Sequence, residues 1–155
     1  MKISSQEEYG LRILIRIGRK SGKTGLTIPQ LSEEEGLTVP YIGKITRILR
    51  LAGFIQSKRG NKGGYVLSKP PSEITINDVL ISLGGALFDQ NFCDAHTGKF
   101  KLCTNSMDCS IRSLWKLVQF SVNSTLNKLT LSDLLGSEQE IYNSFSRVKE
   151  EVLVQ

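Results

Sequence analysis

Apolar residues crowd residues 6–19, at Tyr9, Leu11, Ile13, Leu14, Ile15 and Ile17. That density predicts a helix buried over most of its circumference. Ser4 or Ser5 stands before it as N-cap, with Glu7 or Glu8 three residues on, the spacing of a reciprocal capping box. Gly18 and the glycine- and lysine-rich stretch 20–25 end it in a loop. Thr27 caps a second helix with Pro29 in its first turn, where a missing N–H costs nothing. In that helix Leu31 is expected to face the core and Glu33, Glu34 and Glu35 to face water, and Gly36 stops it. Thr38 caps a third helix over residues 39–52, with Pro40 in its first turn. Ile42, Ile45, Leu49 and Ala52 follow at spacings of three, four and three, which is one apolar stripe. Tyr41, Lys44 and Arg47 lie off that stripe, a polar and basic face near the helix start. Two helices joined by Gly36-Leu37-Thr38 form a helix-turn-helix, the third helix being the reading element.

The period then changes to that of strands. Residues 54–58 and 65–68 read as two short strands, and Arg59-Gly60-Asn61-Lys62-Gly63-Gly64 between them is a glycine-rich turn. Lys58, Arg59 and Lys62 make that hairpin a basic wing. Pro70-Pro71-Ser72 marks a junction, and a short helix follows to about Leu83, with Ile76, Val79, Leu80 and Leu83 inward. Residues 86–109 show no clear period. After Cys109 comes the longest helix, with Ile111, Leu114, Trp115, Val118, Val122, Leu126 and Leu129 alternating by threes and fours. Such a seam pairs with its twin in a dimer or packs on its own domain. Thr130 to Leu135 forms a capped turn, and the tail forms a further helix with Ile141, Phe145 and Val148 on one stripe. The expected fold is mainly α with a small β-hairpin, a winged helix-turn-helix plus a long dimerisation helix. Four units follow: the DNA-binding domain 1–70, a short helix and cysteine-bearing loop 71–109, the dimerisation helix 110–135 and a tail 136–155.

Charge sharpens this picture. The net charge is +5, but residues 1–70 carry 13 Lys or Arg against 5 Asp or Glu, and residues 71–155 carry 7 against 10. The excess of cations therefore sits on the half with the wing, the electrostatic footprint of a nucleic-acid binder. Lys44 and Arg47 are placed to reach guanine edges, and Thr38, Tyr41, Lys58 and Lys62 to contact phosphate. No apolar run is long enough to cross a bilayer, and Met1-Lys2-Ile3-Ser4-Ser5 lacks the apolar stretch of a signal peptide. A cytoplasmic protein with no membrane partner is expected.

The chain has three cysteines, Cys93, Cys103 and Cys109, all within 17 residues. In a reducing compartment such a group points to metal binding or redox chemistry, not disulfides. Three thiolates suit an iron–sulfur cluster, because sulfur stabilises ferric and ferrous iron alike. Zinc held by the same cysteines and His96 is the rival, although no CxxC pair is present. A thiol switch and a small iron–sulfur electron carrier also remain open. No Gly-rich nucleotide loop or pair of catalytic carboxylates suggests an enzyme.

Residues 37–65, LTVPYIGKITRILRLAGFIQSKRGNKGGY, resemble the winged-helix core of the IscR/NsrR family of iron–sulfur regulators. The Met1-Lys2-Ile3-Ser4 opening and the proline-rich junction before EITINDVL resemble it too, and the likeness spans about residues 1–135. It implies a bacterial transcription factor that binds a double-stranded DNA operator as a homodimer and senses redox, nitric oxide or iron status. It implies minor-groove insertion for Arg59, and three cysteines holding a [2Fe–2S] or [4Fe–4S] cluster. Family members complete the ligand set with a histidine after the third cysteine or with a carboxylate of the opposite subunit. Arg112 occupies the histidine position here, whereas Glu8 stands at the carboxylate position. Glu8 of the partner subunit is thus the implied fourth ligand and His96 the alternative. The gap of nine residues between Cys93 and Cys103 departs from the five usual in the family, which Cys103 to Cys109 keeps.

Overall fold

Ser4 opens the first helix, α1 (Ser5–Arg19), through the expected box: its hydroxyl accepts from the Glu7 N–H, and the Glu7 carboxylate accepts from the Ser4 N–H at 2.7 Å. The computed structural model describes residues 3–20, 24–60, 63–85, 92–97, 99, 101, 103, 105 and 107–153, and for 144 and 147–153 the backbone alone. Ile13, Leu14 and Ile17 of α1 are buried among Leu31, Ile42, Ile45, Leu49, Ile74, Val79, Leu83 and Leu131. Each such side chain contributes about 1.5–3 kcal/mol through burial. The core therefore runs continuously from the helix-turn-helix through the segment after the proline junction.

Thr27 starts α2 (Ile28–Glu35) with a second capping box, closed by Gln30. Thr38 is the N-cap of α3 (Val39–Leu51), but its hydroxyl makes no cap bond. Ile42, Ile45 and Leu49 are fully buried, as the stripe predicts, while Ala52, just past the helix end, is exposed. Thr46 joins the buried face, its hydroxyl donating to the Ile42 carbonyl at 2.9 Å.

The acidic run on α2 departs from expectation. Glu35 does not face water: its carboxylate is 2% exposed and takes Arg12 Nε at 2.9 Å and Arg16 Nε at 2.7 Å. The helical period explains this, because Glu35 lies four residues after the buried Leu31 and shares its face. Two cations from α1 make burial of the carboxylate tolerable. Glu34 is half-buried and receives Lys20 Nζ at 2.7 Å.

Strands β1 (Ile55–Lys58) and β2 (Gly64–Leu67) pair antiparallel, Ile55 opposite Leu67 and Lys58 opposite Gly64. Leu26 extends the ribbon, exchanging both backbone bonds with Tyr65 at 3.0 and 2.8 Å. Gly25 and Gly64 permit that approach. A Cβ on Gly64 would stand 2.6 Å from the Leu26 carbonyl carbon, and Gly64 holds φ +130.

After a 3-10 turn (Pro71–Glu73), Thr75 caps α4 (Ile76–Gly84), which packs on α1 and α3. The cysteine segment contains a four-residue helix, α5 (Phe92–Ala95), too short to leave a period in the sequence. α6 (Ser110–Leu126) follows, and none of its residues is buried within one chain. A 3-10 turn (Leu131–Leu134) returns to the core through Leu131, with Thr130 and Asp133 closing its box. α7 (Glu138–Leu153) ends the described chain. At its start the Ser137 N–H and hydroxyl both donate to Glu140, which holds that carboxyl below the usual range. Among the described residues no helix is long and apolar enough to cross a membrane.

Two substitutions probe these contacts. Glu35→Ala is expected to lower unfolding free energy by about 1–3 kcal/mol, since the two partly exposed arginines regain water while their shared acceptor is lost. Urea titration measures it, and an unchanged midpoint would show the pair to be idle. Gly64→Ala is expected to cost roughly 1–3 kcal/mol through its positive φ and the Leu26 contact. An unaltered thermal midpoint would contradict that.

Candidate nucleic-acid interface and cysteine segment

The outer face of α3 presents Lys44 and Arg47 to solvent. Thr38 at its start is exposed, and because its hydroxyl caps nothing it is available to an external partner. Tyr41 is held differently: it is half-buried and stands edge-on to Tyr9, ring centroids 6.0 Å apart at 88°. Arg12 lies over the other ring of that pair, 5.4 Å from the Tyr9 centroid. The α1 face thus sets how far Tyr41 projects. Lys58 and Arg59 are exposed at the wing tip. Lys62, the third wing cation of the sequence reading, lies outside the described residues.

Sequence reasoning passed over Val39. It is 49% exposed in the first turn of α3, beside the exposed Pro40. Two apolar residues at the tip of a reading helix suit thymine methyl groups. The signal was present in the sequence, since neither residue belongs to the buried stripe.

The cysteine segment lies between two anchored helices. At its entry Leu83 of α4 packs on Gly10 of α1, and the Gln6 side-chain amide donates to the Leu83 carbonyl. At its exit Cys109 is the N-cap of α6, and its sulfur accepts the Arg112 N–H at 3.3 Å. Cys93 sits on α5 and Cys103 in the loop beyond, and all three thiols are half-buried and unpaired. His96, exposed, stacks on Phe92 at 4.2 Å and bonds the Phe92 carbonyl through Nδ1 at 2.7 Å. A carbonyl only accepts, so Nδ1 carries the proton and neutral His96 has its lone pair on Nε2. Glu8 is exposed in the first turn of α1. Among the described residues no three of these side chains are gathered as a metal-ligating group. The donor set nonetheless fits an iron–sulfur cluster in its chemistry: soft thiols, one at a helix N-terminus with a backbone N–H on its sulfur.

Comparison with known proteins places the chain. Residues 3–137 match the model of the Rrf2 family, described as an iron-dependent transcriptional regulator. The transcriptional regulator CymR of Bacillus subtilis is 30% identical over 145 residues, 92% of this chain and 97% of that protein. The structure of IscR from T. potens superposes with a TM-score of 0.67 at 27% identity, covering 87% of this chain and 86% of that one. The oxidised form of Staphylococcus aureus CymR superposes equally, TM-score 0.67 at 30% identity, covering 88% and 98%. CymR and IscR relatives are transcriptional regulators, not enzymes. With its expected winged helix-turn-helix confirmed, this chain belongs to the Rrf2 family of DNA-binding transcriptional regulators.

Proposed function

We propose that the protein is a cytoplasmic, homodimeric repressor or activator that senses redox, nitric oxide or iron status through a cluster, [2Fe–2S] or [4Fe–4S], on Cys93, Cys103 and Cys109. The observation that carries this is the placement of three thiols, none in a disulfide, on one segment that runs from the end of α4 to the N-cap of α6. The family description as iron-dependent supports it. A bound cluster would supply a local centre whose charge and integrity respond to oxidants and nitric oxide. The exposed Glu8 of one subunit completes the ligand set of the other, and His96, its Nε2 lone pair free of the Phe92 bond, is the alternative donor.

In this reading residues 1–70 form the reading head, 71–109 carry the sensor, 110–135 pair the subunits and 136–155 form the tail. Lys44 and Arg47 read guanine edges, Val39 packs on thymine methyls, Arg59 enters the minor groove, and Thr38, Tyr41, Lys58 and Lys62 hold phosphate. A second reading has support in the same thiols: the half-buried, unpaired cysteines suit a thiol switch or, with His96, a zinc site. A solved relative exists in an oxidised form.

Metal and sulfide analysis of anaerobically purified protein separates the readings. The cluster reading expects brown protein with matched iron and acid-labile sulfide, and loss of visible absorbance in Cys93→Ala. Colourless protein with one zinc per chain, or no metal, would overturn it. For the reading head, Arg59→Ala should weaken specific operator binding by about 1–3 kcal/mol. Unchanged affinity and salt dependence would remove Arg59 from the interface.

A further inference from the structure

α6 is apolar on two sides. The predicted seam runs through Trp115, Val118 and Val122. Phe120 is two residues from both valines, which places it about 200° around the helix from each. Phe120 is 69% exposed and Leu117, beside it, 61%. Pairing two α6 helices along the seam would leave this second side uncovered. Exposed aromatic and aliphatic groups in one patch mark a surface that another element covers.

The same chain carries an apolar stretch without a cover of its own. Tyr142 and Phe145, three residues apart on one side of α7, are 68% and 38% exposed. α7 begins one residue past the family match, which ends at 137. The family model therefore does not include it. Its 16 residues match the 17 of α6 in length. Charge is complementary as well. α6 carries Arg112 and Lys116 and no acidic residue, whereas α7 carries four glutamates against Arg147 and Lys149. Within one chain α7 packs on the Leu131–Leu134 turn, whose far side Arg19 fixes by donating to the Leu135 and Gly136 carbonyls. Both apolar surfaces stay exposed in that arrangement.

We propose that α7 of one subunit docks on the Leu117–Phe120 side of α6 in a second copy of the chain. The tail is then a strap that fastens the dimer from outside the seam. This rests on the homodimer of the proposed function, not on the cluster. It also gives a use to apolar residues on α6 that a seam alone would not bury.

The test replaces Phe145 in the full chain with p-benzoylphenylalanine and irradiates it under dimer-forming conditions. A covalent dimer is expected, and peptide mapping should join position 145 to residues 113–121 of the other chain. Phe120→Asp should abolish that product, while sedimentation still reports a dimer held by the seam. A cross-link confined to one chain, or one joined elsewhere, would overturn the docking while leaving the dimer intact. A monomer at all concentrations would overturn the dimer itself and the docking with it.

Discussion

The core of this fold is fastened to α1. One face of that helix, Ile13, Leu14 and Ile17, lies at the centre of the core and meets the helix-turn-helix, α4 and the returning Leu131. Two glycines set how close the neighbours come: Gly10 lies under Leu83, and a Cβ on Gly18 would stand 2.9 Å from Leu135. A second face holds Glu35 of α2 through Arg12 and Arg16. The reading head and α4, the entry flank of the cysteine segment, thus share one rigid support, and α6 meets that support through α4. Packed interiors respond to strain by shifting whole elements and not by local give. A change of ligation among the cysteines would reach α3 by that route, through Leu83, Gly10 and the α1–α3 contact.

α6 is constrained in the opposite way. Its 17 residues include none that a single chain buries, and in proteins most helical stability comes from the packing of an apolar face. Such a helix gains its stability from a partner surface. Under the proposed function that surface is supplied by a second subunit, and the same association brings Glu8 of one chain to the cysteines of the other. Dimerisation, ligand completion and the geometry of two reading heads would then be one equilibrium.

The fold was legible wherever periodicity had enough length to register. Helices α1, α3 and α6, the hairpin and the capping box of α1 follow from spacing and cap residues. The environment of Glu35 did not follow, because three consecutive glutamates look solvated until the position of Arg12 and Arg16 is known. α5 was missed because four residues carry no period. Ala52 continued the stripe in sequence, but α3 ends at Leu51 and the chain has turned. The basic face of α3 and the wing were visible as charge beside glycine. Val39 lay off the buried stripe in the sequence as well, but an exposed apolar residue at a helix start acquires meaning only when its neighbours are seen to be buried. The cysteines announced themselves by number and proximity. Under the proposed function their fourth ligand comes from another subunit, which no pattern along one chain encodes.

Under the proposed function the state of the cysteine segment sets DNA affinity. By linkage, a ligand that prefers one conformation must change the affinity for operator by the same free energy that operator changes its own. The direct measurement is the dissociation constant of one operator duplex, by fluorescence anisotropy at fixed salt, for a single anaerobic preparation before and after cluster removal. Iron and sulfide are counted in both samples. The account predicts a change of about fivefold or more, the lower end of ordinary allosteric coupling. Equal affinities in samples that differ in cluster content would contradict it.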